Sequence, residues 1–155
     1  MKNLSVLIKP SSSLCNAKCE YCFYEDVATH RSIKDYGFIM ETDWKLIVEK
    51  SFDLTDDYQT ISFVFQGGEP LLSGLEFYKQ FVAYSELKKG SMSVLYNIQT
   101  NGILLNDKFC EFFSQYNFLV GLSIDGFEEN HDMHRSFKGS KSFELVFSKV
   151  SLLRK

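Results

Sequence analysis

Apolar and polar positions along the chain alternate between two periods. Leu4-Ser5-Val6-Leu7-Ile8 is a short apolar run and predicts a buried first strand. Lys9-Pro10 and Ser11-Ser12-Ser13 end it. Residues 24–36 are polar and mixed, which predicts loop with a short helix. Trp44, Ile47, Val48 and Phe52 recur at helical spacing behind Glu41-Thr42-Asp43, with Thr42 or Asp43 as the expected N-cap. Ile61-Ser62-Phe63-Val64-Phe65 predicts a second strand, and Phe77, Tyr78, Phe81, Val82 and Tyr84 a second helix closed by Lys88-Lys89-Gly90. Residues 92–99 alternate as a third strand. Asn106-Asp107 then opens a third helix through Phe109, Phe112 and Phe113. Residues 118–124 predict a fourth strand, followed by a polar loop containing His131-Asp132-Met133-His134-Arg135. Ser142 starts a last helix with Phe143, Leu145, Val146, Val150 and Leu153.

Strand and helix thus alternate four times, which calls for an α/β fold with a parallel sheet. Ligands of such folds sit at the carboxyl ends of the strands. Each polar motif that punctuates the pattern falls at such an end. After the first strand come three cysteines, after the second Gly67-Gly68-Glu69-Pro70, after the third Thr100-Asn101-Gly102, and at the fourth Ser123-Ile124-Asp125-Gly126.

Composition narrows this picture. A chain of 155 residues suffices for one domain with a real core. Its 15 Phe, 8 Tyr and only 2 Pro exclude a disordered chain. A formal charge of −3 gives no reason to expect a nucleic-acid partner. No apolar run approaches the ~20 residues of a membrane span. Met1-Lys2-Asn3-Leu4 leads into the first strand without a signal core, so the expected location is the cytoplasm. Clustered cysteines in that compartment favour metal or redox chemistry over disulfides.

Cys15, Cys19 and Cys22 are spaced C-x3-C-x2-C, while Cys110 stands apart in a helical pattern. Three thiolates on one loop can converge on one metal centre and leave a position open for another ligand. An iron–sulfur cluster with one free iron fits this, and a Cys3His zinc site completed by His30 is the competing reading. Gly67 and Gly68 let a ligand approach the backbone, and Glu69 adds a carboxylate where an ammonium group could sit. Ser123 offers a hydroxyl, Asp125 stands in a common turn pair, and Arg135 could pair with a carboxylate through its planar fork. Asn101 could face a substrate, and His131 could orient its loop.

Together these motifs resemble the radical S-adenosylmethionine (SAM) enzymes. The cysteine loop, with Tyr21 before the last cysteine, is similar to their signature, and Gly67-Gly68-Glu69-Pro70 to their methionine-amino-binding motif. More narrowly, Ile8-Lys9-Pro10, Tyr21-Cys22-Phe23-Tyr24, Phe65-Gln66-Gly67, Gln99-Thr100-Asn101-Gly102, the stretch from Val120 to Gly126, and His131-Asp132 with Arg135 resemble the anaerobic sulfatase-maturating enzymes. The resemblance implies a partial (β/α)6 TIM-like barrel of the radical SAM type, with about four βα units present and residues 1–155 as the N-terminal portion of the core. It implies a 4Fe-4S cluster on Cys15, Cys19 and Cys22, with SAM on the open iron. Tyr21 would lie by the adenine, and Gly67, Gly68 and Glu69 would meet the methionine amino group. Ser123 would approach the ribose or methionine part and Arg135 the carboxylate, with Asp125 also among the cofactor-binding residues. The implied activity is reductive cleavage of SAM to a 5′-deoxyadenosyl radical and oxidation of a Cys or Ser of a sulfatase to formylglycine. A one-electron donor such as flavodoxin or ferredoxin would serve it. A peptide-modifying maturase, a non-catalytic remnant and a zinc-stabilised module are the alternatives. The family's auxiliary-cluster region has no counterpart here, so a fragment is expected, with the general base for the substrate beyond Lys155.

Overall fold

The structure, a computed structural model, describes residues 3–54 and 59–154; Met1, Lys2 and Lys155 lie outside the described residues. In chain order the elements are β1 (Asn3–Ile8), β2 (Ala17–Cys19), α1 (Phe23–Thr29), α2 (Glu41–Asp53), β3 (Thr60–Phe65), a 3-10 turn (Pro70–Ser73), α3 (Gly74–Lys88), β4 (Ser93–Thr100), α4 (Asp107–Gln115), β5 (Leu119–Leu122), α5 (Glu128–His134), β6 (Arg135–Phe137), β7 (Ser140–Lys141) and α6 (Phe143–Leu153). β1, β3, β4 and β5 form one sheet in the order β1-β3-β4-β5, parallel at every pairing.

Period-2 alternation decides which face is buried. Ile61, Phe63 and Phe65 of β3 are wholly buried, with Ile8, Tyr96 and Ile98 of the flanking strands beside them. This face packs against Trp44 and Val48 of α2, Tyr78, Phe81 and Val82 of α3, and Phe109, Phe112 and Phe113 of α4. The many aromatics are spent here. Phe63 meets Phe81 edge-on at 5.0 Å, and Phe65 meets Tyr78 at 5.1 Å, while Tyr96 stacks on Phe118 at 5.1 Å. Each fully buried ring contributes roughly 2–3 kcal/mol of apolar transfer. The opposite face is half-open and partly polar. Asn97 donates to the Ser62 hydroxyl at 2.7 Å there, and Leu7, Leu95 and Leu119 are exposed.

A second, three-stranded sheet joins distant parts of the chain. β2, inside the cysteine loop, pairs antiparallel with β6, and β6 with β7, so that Cys19 stands opposite Arg135.

Three expectations need correcting. The N-cap of α2 is Met40, not Thr42 or Asp43: the Met40 carbonyl accepts the N–H groups of Asp43 and Trp44, which draws both expected caps into the first turn. Glu41 and Asp43 still place negative charge at the helix's positive end. The fourth strand is only Leu119–Leu122, shorter than 118–124; its pairing runs from Asn97 to Thr100 and stops where β4 ends. The stretch 128–134 is a helix rather than a loop. Asp132 does not serve it; its Oδ1 accepts the N–H groups of Ser142 and Phe143 and so caps α6. Among the described residues no helix is long and apolar enough to cross a membrane.

Candidate functional site

All four punctuating motifs come to the carboxyl ends of the large sheet, and hydrogen bonds lace the cysteine loop to each. Toward β3, Leu14 accepts the N–H of Glu69 at 2.7 Å, and the buried Ser11 hydroxyl donates to the Glu69 carbonyl at 3.0 Å. Gly68, with φ +56°, makes this approach possible. A Cβ there would lie 2.3 Å from the Leu14 carbonyl oxygen. Toward β4, Asn101 donates its side-chain amide to Asn16 Oδ1 at 2.8 Å and faces Cys15 Sγ at 3.8 Å. Toward β5, Tyr21 donates its hydroxyl to Asp125 Oδ2.

Glu69 is buried, at 1% exposure, and its carboxylate faces inward. Oε1 accepts the Leu71 N–H at 3.0 Å and the Thr100 hydroxyl at 2.7 Å, and Oε2 accepts the Asn101 N–H at 2.8 Å. Burial pushes this carboxyl above its usual range, against the pull of those donors. Glu69 therefore ties the end of β3 to the end of β4.

Asp125, Arg135, Tyr21 and Cys19 form a second cluster. Arg135 grips Asp125 with Nε at 2.8 Å and Nη2 at 3.2 Å, points Nη1 at Cys19 Sγ at 3.6 Å, and lies 5.2 Å from the centre of the Tyr21 ring. Burial raises the Asp125 carboxyl, but the bonds from Arg135 and Tyr21 outweigh it and hold it below its usual value. His131, buried, sits behind this group: Nδ1 accepts the Asp125 N–H at 3.4 Å, and Nε2 lies 3.0 Å from the Ser142 hydroxyl. Burial, then the Arg135 charge, lowers its pKa and keeps the ring neutral.

Of the residues read from sequence, Cys15, Cys19, Tyr21, Gly68, Glu69, Asp125 and Arg135 are brought into this laced rim. Gly67 precedes Gly68 in the same turn, and its φ of +113° also favours glycine. Ser123 closes on β4, donating its N–H to the Thr100 carbonyl at 2.9 Å. His30 is not brought in. Its Nδ1 lies 2.8 Å from the Asp26 carbonyl at the end of α1. Gln99, quoted above only within a motif and given no role of its own, also joins this rim. It donates to the Ser123 hydroxyl at 2.8 Å and occupies the space that a side chain at Gly121 would fill. Its signal was available: a polar residue on the non-core face at the end of a strand, opposite a glycine.

The family model of the radical SAM superfamily matches residues 10–155. The chain belongs to the radical SAM superfamily. It is 41% identical to the cysteine-type anaerobic sulfatase-maturating enzyme of Clostridium novyi, over 100% of this chain and 41% of that protein. It is 38% identical to the serine-type enzyme of Bacteroides thetaiotaomicron, over 99% of this chain and 37% of that protein. Native anSMEcpe with bound AdoMet superposes with a TM-score of 0.89 at 37% identity, over 97% of this chain and 41% of that one. With AdoMet and the Cp18Cys peptide bound, the score is 0.88 at 35% identity, over 99% and 40%. The chain spans about two fifths of the length of these curated relatives. The parallel sheet with helices on one face is the partial barrel of this radical SAM fold.

The donor set of this radical SAM loop suits an iron–sulfur cluster. Each thiol of the loop already faces an N–H: Asn101 Nδ2 for Cys15, Arg135 Nη1 for Cys19, and the Glu25 backbone N–H at 3.4 Å for Cys22. Such donors stabilise thiolate ligands. Burial pushes the bare Cys15 thiol up to about 11, and Cys19 is also raised, by burial first. Metal loading must therefore displace protons at neutral pH.

Proposed function

We propose that this chain is the cluster- and SAM-binding, N-terminal portion of an anaerobic sulfatase-maturating radical SAM oxidoreductase. One observation supports the reading above the others: the cysteine loop is bonded to the ends of β3, β4 and β5 at once, at the mouth where a parallel α/β fold takes its ligand. Cys15, Cys19 and Cys22 hold three irons of a 4Fe-4S cluster. The Gly67-Gly68 backbone meets the amino group of SAM, with the Glu69 carboxylate behind it. Arg135 meets the SAM carboxylate, Tyr21 the adenine, and Ser123 and Asp125 the ribose side. Loaded with a cluster and SAM, such a site would supply one-electron reductive cleavage of SAM and hydrogen-atom abstraction from a Cys or Ser of a sulfatase, the class of chemistry that leads to formylglycine. Flavodoxin or ferredoxin is the class of electron donor, and the cytoplasm, where these thiols stay reduced, the place of action.

The test is anaerobic reconstitution with iron and sulfide, then SAM and dithionite, with 5′-deoxyadenosine as the readout. Formation by the chain, and loss of it in Cys19→Ala, supports the reading. Zinc uptake with no iron–sulfur chromophore overturns it. Cysteine- and serine-containing sulfatase peptides, compared by mass for aldehyde formation, then decide the substrate.

A further inference from the structure

We propose that Asn16 and Asn101 form an amide pair that donates N–H groups to the sulfur of the cluster, making them positioning residues that set its reduction potential. The inference rests on the cluster-bearing reading above. It concerns two neutral side chains outside the residues assigned to SAM.

The argument is one of orientation. Asn101 is held from both ends: its Oδ1 accepts the Ile103 N–H at 3.0 Å, and its own backbone N–H is held by Glu69 Oε2 at 2.8 Å. Exchanging its amide oxygen and nitrogen would set the Ile103 N–H against an NH2, so the amide direction is determined. Its Nδ2 therefore points at Asn16 Oδ1, at 2.8 Å, and at Cys15 Sγ, at 3.8 Å. Asn16 is oriented in turn. With Oδ1 committed to Asn101, its Nδ2 is buried and has no hydrogen-bond partner among the described residues. Leaving a buried amide donor without an acceptor is destabilising. Such a donor calls for an acceptor from outside the chain, a water, an ion or a ligand. The anionic acceptor that belongs beside Cys15 in this reading is cluster sulfur.

N–H donors to sulfur stabilise negative charge, and the reduced cluster carries one charge more than the oxidised one. The pair therefore raises the potential and makes the cluster easier to reduce. Asn101, just past the end of β4, is anchored to the end of β3 through Glu69.

The experiment uses the reconstituted chain. The midpoint potential is measured by redox titration with electron paramagnetic resonance, for wild type, Asn16→Ala and Asn101→Ala. Both variants are expected to shift to more negative potential at unchanged iron and sulfide content. An unchanged midpoint in both overturns the inference and leaves the cluster reading standing. A second measurement needs no variant: wild type labelled with 15N only at the asparagine side-chain amide should show nitrogen coupling to the reduced cluster. Absence of that coupling also overturns the inference. If wild type forms no iron–sulfur chromophore at all, the cluster reading fails and the inference falls with it.

Discussion

Gly68→Ala tests whether the cysteine loop and the Gly67-Gly68-Glu69-Pro70 turn are in contact. Two separable effects should appear. Gly68 has φ +56°, and an L residue in this left-handed region costs about 1–2 kcal/mol, partly offset by ~0.4–1 kcal/mol of lost unfolded-state entropy. Gly90 supplies the control. Its φ is +55°, yet a Cβ there meets nothing within 4 Å. Gly90→Ala should therefore report strain alone, about 1 kcal/mol. At Gly68 the added Cβ would stand 2.3 Å from the Leu14 carbonyl oxygen. That backbone must retreat by roughly 1 Å to reach ordinary contact. Retreat breaks the 2.7 Å bond from the Glu69 N–H, worth about 1 kcal/mol, and strains the loop as well. The expected total is about 3 kcal/mol, roughly a hundredfold in the unfolding constant against about fivefold for the control. Urea unfolding of the metal-free chain, followed by far-ultraviolet circular dichroism and by the fluorescence of Trp44, the single tryptophan, gives both numbers. Equal destabilisation by the two substitutions would refute the contact, and with it the view that the turn positions the cysteines.

Three other outcomes follow from the same geometry. Thr100→Val strips the Glu69 carboxylate of one donor and leaves the Gly102 N–H, now 3.0 Å from Thr100 Oγ1, without its acceptor; denaturant midpoints should fall by the equivalent of about 2–4 kcal/mol, while Thr100→Ser stays within about 1 kcal/mol of wild type. His131 is held neutral by burial and by Arg135, against the pull of Asp125 and Asp132. The unfolded chain therefore binds the extra proton first as pH falls below about 6.5, so the stability present above that pH declines toward the folded pKa. Thermal melts from pH 8 to pH 5 should show this decline in wild type and a flatter profile in His131→Gln, and parallel profiles would contradict the assignment. Asp125→Asn removes the charge that Arg135 grips; because the pair is partly exposed, at 17% and 21%, the expected cost is about 1–2 kcal/mol, read from urea midpoints of the metal-free chain, with no loss meaning that the pair is idle.

The sequence by itself determined the alternation of elements, because β3 and its neighbours display their apolar residues at period 2 and the helices at period 3–4, patterns that only one buried face satisfies. It also determined the site's chemistry, since the three cysteine thiols and the two adjacent glycines have few substitutes for what they do. Less local properties were not legible. Period alone made 128–134 polar loop, whereas the structure forms a helix there that leads directly into β6, a strand paired with the distant β2 as well as with β7. Met40 rather than Thr42 caps α2 because the chain's path sets where the first carbonyl turns inward. Tertiary structure alone decided that the Glu69 carboxylate faces Thr100 and Asn101, that Gln99 holds Ser123, and that Arg135 reaches Asp125 and Cys19 together. Each depends on bringing residues from ten to more than a hundred positions apart within 4 Å, and a hydrogen bond's range is far shorter than any pattern along the chain can specify.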